Sequence, residues 1–148
     1  MNKKRYKDIH ASTVYAATFD VIAADLAENY LADAEYEPGT VLIFGGEYEV
    51  TTTTKKGDTR VAGVVTTNPA TIMNSALEGD YVAGMALQGR VPCKVLGRVR
   101  KGDILVTASV PGYAIATDNP QVGTIVGKSL ENKDTPEKGI IEVAVGRL

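Results

Sequence analysis

Five carboxylates fall within thirteen residues, Asp25, Glu28, Asp33, Glu35 and Glu37, and they are the groups in this chain best able to do chemistry. Asp25 and Glu28 are three apart. On a helix they would share a side, where mutual repulsion and burial raise one pKa above the other and make an acid and base pair. The plainer reading of the same spacing is a solvated helix face. Nucleophilic routes are poorly supplied. His10 is the single histidine and lies in a basic N-terminal stretch, so neither a Ser-His-Asp nor a Cys-His arrangement has a convincing base. Cys93 alternates with Val91 and Val95 on the apolar side of a period-two run, the position of a small core residue.

Binding motifs are equally sparse. No stretch matches a phosphate-binding loop, a dinucleotide fingerprint, an EF-hand or a zinc-protease helix, and the glycines fall at turns and strand ends. One cysteine excludes an internal disulfide and a cysteine-based structural zinc site. No metal ion or cofactor is expected. Lys3, Lys4, Arg5 and Lys7 could meet phosphate, but without interleaved aromatics they read as a partner-anchoring tail, and the net charge of -2 supplies no basic field for nucleic acid. No run reaches the 18 or so apolar residues of a membrane span. Asp8, His10 and Asp20 interrupt the apolar core a secretory signal would need, so use in a cytoplasm, or in something assembled there, is expected. Seven tyrosines, from Tyr6 to Tyr113, are scattered rather than gathered into a sugar platform.

The elements that must position these groups read as mainly β. Residues 1–22 form no clean period and are expected as an extended attachment arm carrying Lys3, Lys4, Arg5, Lys7 and Tyr15. Residues 23–33, rich in Ala, Leu and Glu, are expected as one short helix with Leu26, Tyr30 and Ala34 along one face. Glu37-Pro38-Gly39 then turns into strand-like runs at 40–44, 47–53, 60–66, 81–87, 90–99, 104–107, 113–117, 122–127 and 140–145. The 68–79 and 132–138 stretches read as loops, the first with room for one helical turn.

The second half repeats the first. Gly39-Thr40-Val41-Leu42-Ile43 returns as Gly102-Asp103-Ile104-Leu105-Val106, Tyr48-Glu49-Val50-Thr51-Thr52 as Tyr113-Ala114-Ile115-Ala116-Thr117, Val61-Ala62-Gly63-Val64-Val65 as Val122-Gly123-Thr124-Ile125-Val126, and Gly89-Arg90-Val91 as Gly146-Arg147-Leu148. The offsets run from about 57 to 65 residues in constant order. The fold class expected is therefore all-β, a duplicated antiparallel barrel or sandwich over residues 23–148, with copies at about 38–100 and 101–148.

Several short motifs in order resemble a known family. They are Ala24-Asp25-Leu26-Ala27-Glu28-Asn29-Tyr30, Tyr36-Glu37-Pro38-Gly39-Thr40-Val41, residues 60–65, Thr67-Asn68-Pro69-Ala70, Gly89-Arg90-Val91-Pro92, Arg100-Lys101-Gly102-Asp103 and Ile141-Glu142-Val143-Ala144-Val145-Gly146-Arg147. Residues 22–148 so marked resemble the C-terminal domain of tailed-bacteriophage fibre and appendage proteins. The resemblance implies a virion structural part, commonly a homotrimer, contacting other virion proteins (capsid, neck or fibre) and in some cases a host surface receptor. Some such domains are similar to an intramolecular chaperone that cleaves itself off with acidic residues, a role the resemblance would give to Asp25 and Glu28. The usual long shaft upstream is missing and no cleavage segment is evident, which turns the expectation toward a decoration, collar or fibre-tip protein attached by its arm. Exposed loops at 68–79 and 132–138 are the places a receptor or glycan would be met.

Overall fold

A computed structural model of the chain describes residues 6–146, and these form ten strands and no helix. They are β1 (Asp25–Leu31), β2 (Val41–Phe44), β3 (Val50–Thr52), β4 (Val61–Val65), β5 (Thr71–Met73), β6 (Val82–Leu96), β7 (Ile104–Thr107), β8 (Ala114–Ala116), β9 (Ile125–Ser129) and β10 (Lys138–Val145). The fold is all-β: a five-stranded barrel, with the remaining strands outside it.

The barrel closes through β6, β10, β9, β7 and β8. β10 runs antiparallel to β6 from Lys138 opposite Leu96 to Val145 opposite Gly89, and β8 returns to β6 through a parallel pair, Val95 with Ala114. The outer strands follow the same circuit. β1 pairs antiparallel with the first half of β6, β6 with β4, β4 with β2 and β2 with β3, and β3 meets the end of β1 at a parallel bridge, Ala32 with Val50. Both circuits carry the same irregularity. Leu42 pairs with Gly63 and Ile43 with Val61, while Leu105 pairs with Gly127 and Val106 with Ile125, a bulge at the same place in each. Turn bonds match as well: Gly39 N–H to Val65 O and Gly102 N–H to Ser129 O are both 2.8 Å.

These ladders fix which residues correspond. The 39–43 and 102–106 match read from sequence falls on equivalent positions. The 48–52 match is one residue out, since Val50 stands where Ala114 does, and the 61–65 match is three residues out, since Val61 stands where Ile125 does.

The expected short helix over residues 23–33 is not present; most of that segment is β1. Helix propensity separates ordinary residues by only tenths of a kcal/mol each. As a strand, the segment gains seven register positions against β6 on one side and a parallel ladder from Leu26–Thr71 to Glu28–Met73 on the other. Two runs read as separate strands, 81–87 and 90–99, are instead the single fifteen-residue β6. The 68–79 loop contains β5.

Leu42, Val50, Met85, Val65, Ala83 and Ala32 fill the first circuit, and Leu105, Val95, Ala114 and Val143 occupy matching places in the second. Small branched side chains suit so narrow an interior, which packs solid. The circuits are joined along their length. Val41 N–H donates to Gly112 O (2.9 Å), Gly112 N–H to Thr53 O (3.1 Å) and Lys94 N–H to Gly39 O (2.9 Å). The 55–58 turn is held on β7 by Gly57 N–H to Thr107 O (2.9 Å) and Asp58 N–H to Thr107 Oγ1 (2.7 Å), while that hydroxyl donates to Lys55 O (2.8 Å).

Two predictions follow from this packing. A Cβ on Gly127 would lie 2.4 Å from Ala144 O, a backbone atom of the central ladder, whereas one on Gly57 (φ 62°) meets nothing within 4 Å. Gly127→Ala is expected to cost about 2–3 kcal/mol in urea unfolding, from forced backbone shift, and Gly57→Ala about 1 kcal/mol, from the left-handed conformation alone. The second concerns acid. The Arg60 side chain, with its Nε and Nη2 donating at 3.1 and 2.9 Å, holds the Asp58 carboxyl below the ordinary value of 3.8 against the opposing push of burial. A lowered folded value stabilises the fold fully above 3.8, and that contribution disappears as pH falls through the lowered value. Urea midpoints of the parent and of Asp58→Asn should therefore differ most at neutral pH and converge below pH 3.8.

Candidate functional site

The strands of the body begin at Asp25, and the described residues before it are different in kind. Residues 6–22 hold no strand or helix and lie exposed. Tyr6, Ile9, Val14, Tyr15, Phe19, Val21 and Ile22 all present their side chains to solvent, Tyr15 at 95% of its full area. Each such side chain is worth about 1.5–3 kcal/mol when buried, and ordering each residue costs about 1–2 kcal/mol. The arm therefore holds a partner only where several anchors and main-chain bonds engage together. Lys7 and His10 lie on the exposed arm; Lys3, Lys4 and Arg5 are outside the described residues.

The arm leaves the body beside the midpoint of β6. Arg90 N–H donates to Ala24 O at 3.0 Å, directly after Gly89, where a Cβ would sit 2.1 Å from that same oxygen. Only glycine allows the approach, and its φ of 114° is a conformation that side-chain-bearing residues rarely adopt. A cavity of about 390 Å³ opens at this root, walled by the arm's Ile22 to Asp25, by Pro38 and Gly39, by residues 65–68, by Arg90 to Pro92 and by Glu142. Asp25 is only 6% exposed, and its Oδ2 has no hydrogen-bond partner among the described residues. Glu142 Oε2 is likewise unpartnered, with the nearest cation, Arg90 Nε, at 3.9 Å.

The carboxylates that looked like one cluster are dispersed by the strand. Asp25 and Glu28 stand three positions apart along β1, roughly 10 Å, and Glu28 does not line the cavity that Asp25 lines. Glu28 instead accepts the Tyr30 hydroxyl, and that bond, with burial behind it, pushes the phenol up to about 12. Asp33 accepts Thr51 Oγ1 at 2.7 Å and the Tyr36 hydroxyl; burial raises its carboxyl, but the two hydrogen bonds win and hold it below the usual range. Glu37 pairs with Lys94 Nζ at 2.8 Å, which lowers it. Glu35 is exposed.

Cys93 is fully buried and its thiol is pushed up to about 12 by that burial, so it packs as a small core side chain. Tyr113 lies between Lys94 and Lys138, whose ammonium groups stand 5.9 and 5.0 Å from its ring centre. The 132–138 loop is pinned by Lys133 Nζ, which donates to Gly97 O (2.8 Å) and Thr135 O (2.7 Å). Sequence reading missed Arg90 and Glu142 as cavity residues. They are fifty-two positions apart and become diagonal neighbours only through the β6–β10 register. Among the described residues no group of three or more His, Cys, Asp or Glu is placed to hold a metal ion.

Tyr30 reports on Glu28 directly. In ultraviolet titration the parent should show one tyrosine ionising near 12, and Glu28→Gln should move it toward the ordinary 10.0. A neutral phenol held by its partner stabilises the fold below 10 and ceases to as pH rises through the raised value, so the variant should lose stability at neutral pH and match the parent only in strong alkali. No protein-family model matches the chain and no curated protein matches it, which leaves its role to be judged from the arm, the cavity and the barrel.

Proposed function

We propose that this chain is a virion structural protein of decoration, collar or fibre-tip type, which forms a homotrimer and docks on the particle through residues 1–22. The carrying observation is the contrast between a body whose ladders close on themselves and an arm with seven large apolar side chains exposed. A soluble body gains nothing from such an arm; a partner does. An extended segment can add main-chain hydrogen bonds along a neighbouring sheet edge while its alternate side chains fill pockets. The matched ladders support an origin by tandem duplication of a five-strand unit. The resemblance to phage fibre and appendage domains supplies the particle and the trimer, and with them assembly in a host cytoplasm. Among the described residues no helix is long and apolar enough to cross a membrane.

Among the described residues the arm makes no ladder with the body, so removing it should spare the fold. A chain lacking residues 1–20 is expected to keep the parent's circular dichroism and its melting temperature within about 2 °C, and to lose attachment to particles in a sedimentation assay. Normal decoration by the truncated chain would overturn the proposal.

A further inference from the structure

The cavity at the arm's root has an unmet electrostatic demand. Asp25 is buried with Oδ2 unpartnered, and Glu142, which lines the same cavity, has an Oε2 without a hydrogen bond, its ion-pair partner Arg90 standing 3.9 Å away. A buried carboxylate oxygen without a donor is costly, and a cation with N–H groups is the chemistry that satisfies it. The chain carries that chemistry in one concentrated place, Lys3, Lys4, Arg5 and Lys7, at the far end of its own arm.

We propose that the cavity receives the basic head of the arm, residues 3–7, from a second copy of the chain, with an ammonium or guanidinium group set against Asp25 and Glu142. This rests on the arm-docking reading and names one partner for it. Length permits the contact. The sixteen residues from Lys7 to Ile22 span roughly 50 Å when extended, against a radius of gyration of about 14 Å for a body of this size. Geometry favours a neighbour over the same chain, because Ile22 to Ala24 of the chain's own arm already wall the cavity and its head would have to reverse fully to enter. Val65, Val91 and Pro92 offer apolar wall for the aliphatic stem of a lysine. Each copy then gives one arm and accepts one, a head-to-tail contact that closes into a ring such as a trimer. The apolar stretch from Ile9 to Phe19 stays free for the particle.

The test uses the full chain, prepared as an equal mixture of ordinary and 15N-labelled subunits assembled together. A carbodiimide joins carboxylates to amines in salt-bridge contact, and mass spectrometry reads the linked peptides. Amide links from Asp25 or Glu142 to Lys3, Lys4 or Lys7 are expected, about half of them carrying one label of each kind. Asp25→Asn, which keeps the shape and removes the charge, should abolish the Asp25 link and raise the subunit dissociation constant tenfold or more. Replacing all four basic residues by Gln should do the same, with the parent's circular dichroism as the check that the body is intact. Links within one isotope only would mean the chain's own arm folds back, and an intact oligomer with no such links would mean the cavity takes no arm; either overturns the inference. If the truncated chain lacking residues 1–20 still fails to decorate particles in those cases, the docking role of the arm stands and only its partner is wrong.

Discussion

One strand carries this structure. β6 runs for fifteen residues, closing the outer circuit with its first half and opening the barrel with its second, so that β1, β4, β8 and β10 all hydrogen-bond to it. Its midpoint holds Gly89, where φ is 114° and the backbone of Ala24 presses where a side chain would be. The consequence is spatial. Arg90, the residue after Gly89, both bonds Ala24 at the root of the arm and lines the cavity with the unpartnered carboxylates. A substitution there would disturb the fold and the candidate site together.

Much of the fold could be read in the residues, for physical reasons that differ by element. Strands dense in Val, Ile and Leu, such as β2, β7 and β10, announce themselves because a core face demands branched apolar side chains. Leu42 and Leu105, the two large side chains at equivalent places in the circuits, anchored the 39–43 match in correct register, and Gly89 and Gly146 also fall on equivalent positions, pressed by Ala24 O and Leu87 O respectively. The slipped 61–65 match falls in a Val, Ala and Gly run, where neighbouring offsets score alike, and the slipped 48–52 match was drawn by its shared Tyr and Thr; in both only the hydrogen-bond partner decides. β1 was read as a helix because Ala, Leu and Glu favour one locally; the ladders to β5 and β6 are long-range gains that no window of sequence shows. Its counterpart is the second half of β6, and the two share almost no residues, which hid the start of the repeat upstream of Gly39.

The site was legible in parts. The arm stood out as unpatterned and basic, and the described portion is exposed as read. Asp25 and Glu28 were chosen for a helical spacing that the strand removes: one faces a cavity with Arg90 and Glu142, the other is occupied by Tyr30. Three other carboxylates are matched to donors, Asp33 to Thr51 and Tyr36, Glu37 to Lys94, Asp58 to Arg60. Asp25 is the buried exception, and its exception sits at the arm.

The central claim is that the arm is the working part and the barrel its mount. Hydrogen exchange on the free protein and on the same protein bound to particles tests it most directly. The account predicts strong new protection across residues 6–22 on binding, with the ladders of β6 to β10 unchanged. An arm that exchanges as freely on the particle as in solution, with protection appearing instead over the body's loops, would contradict it.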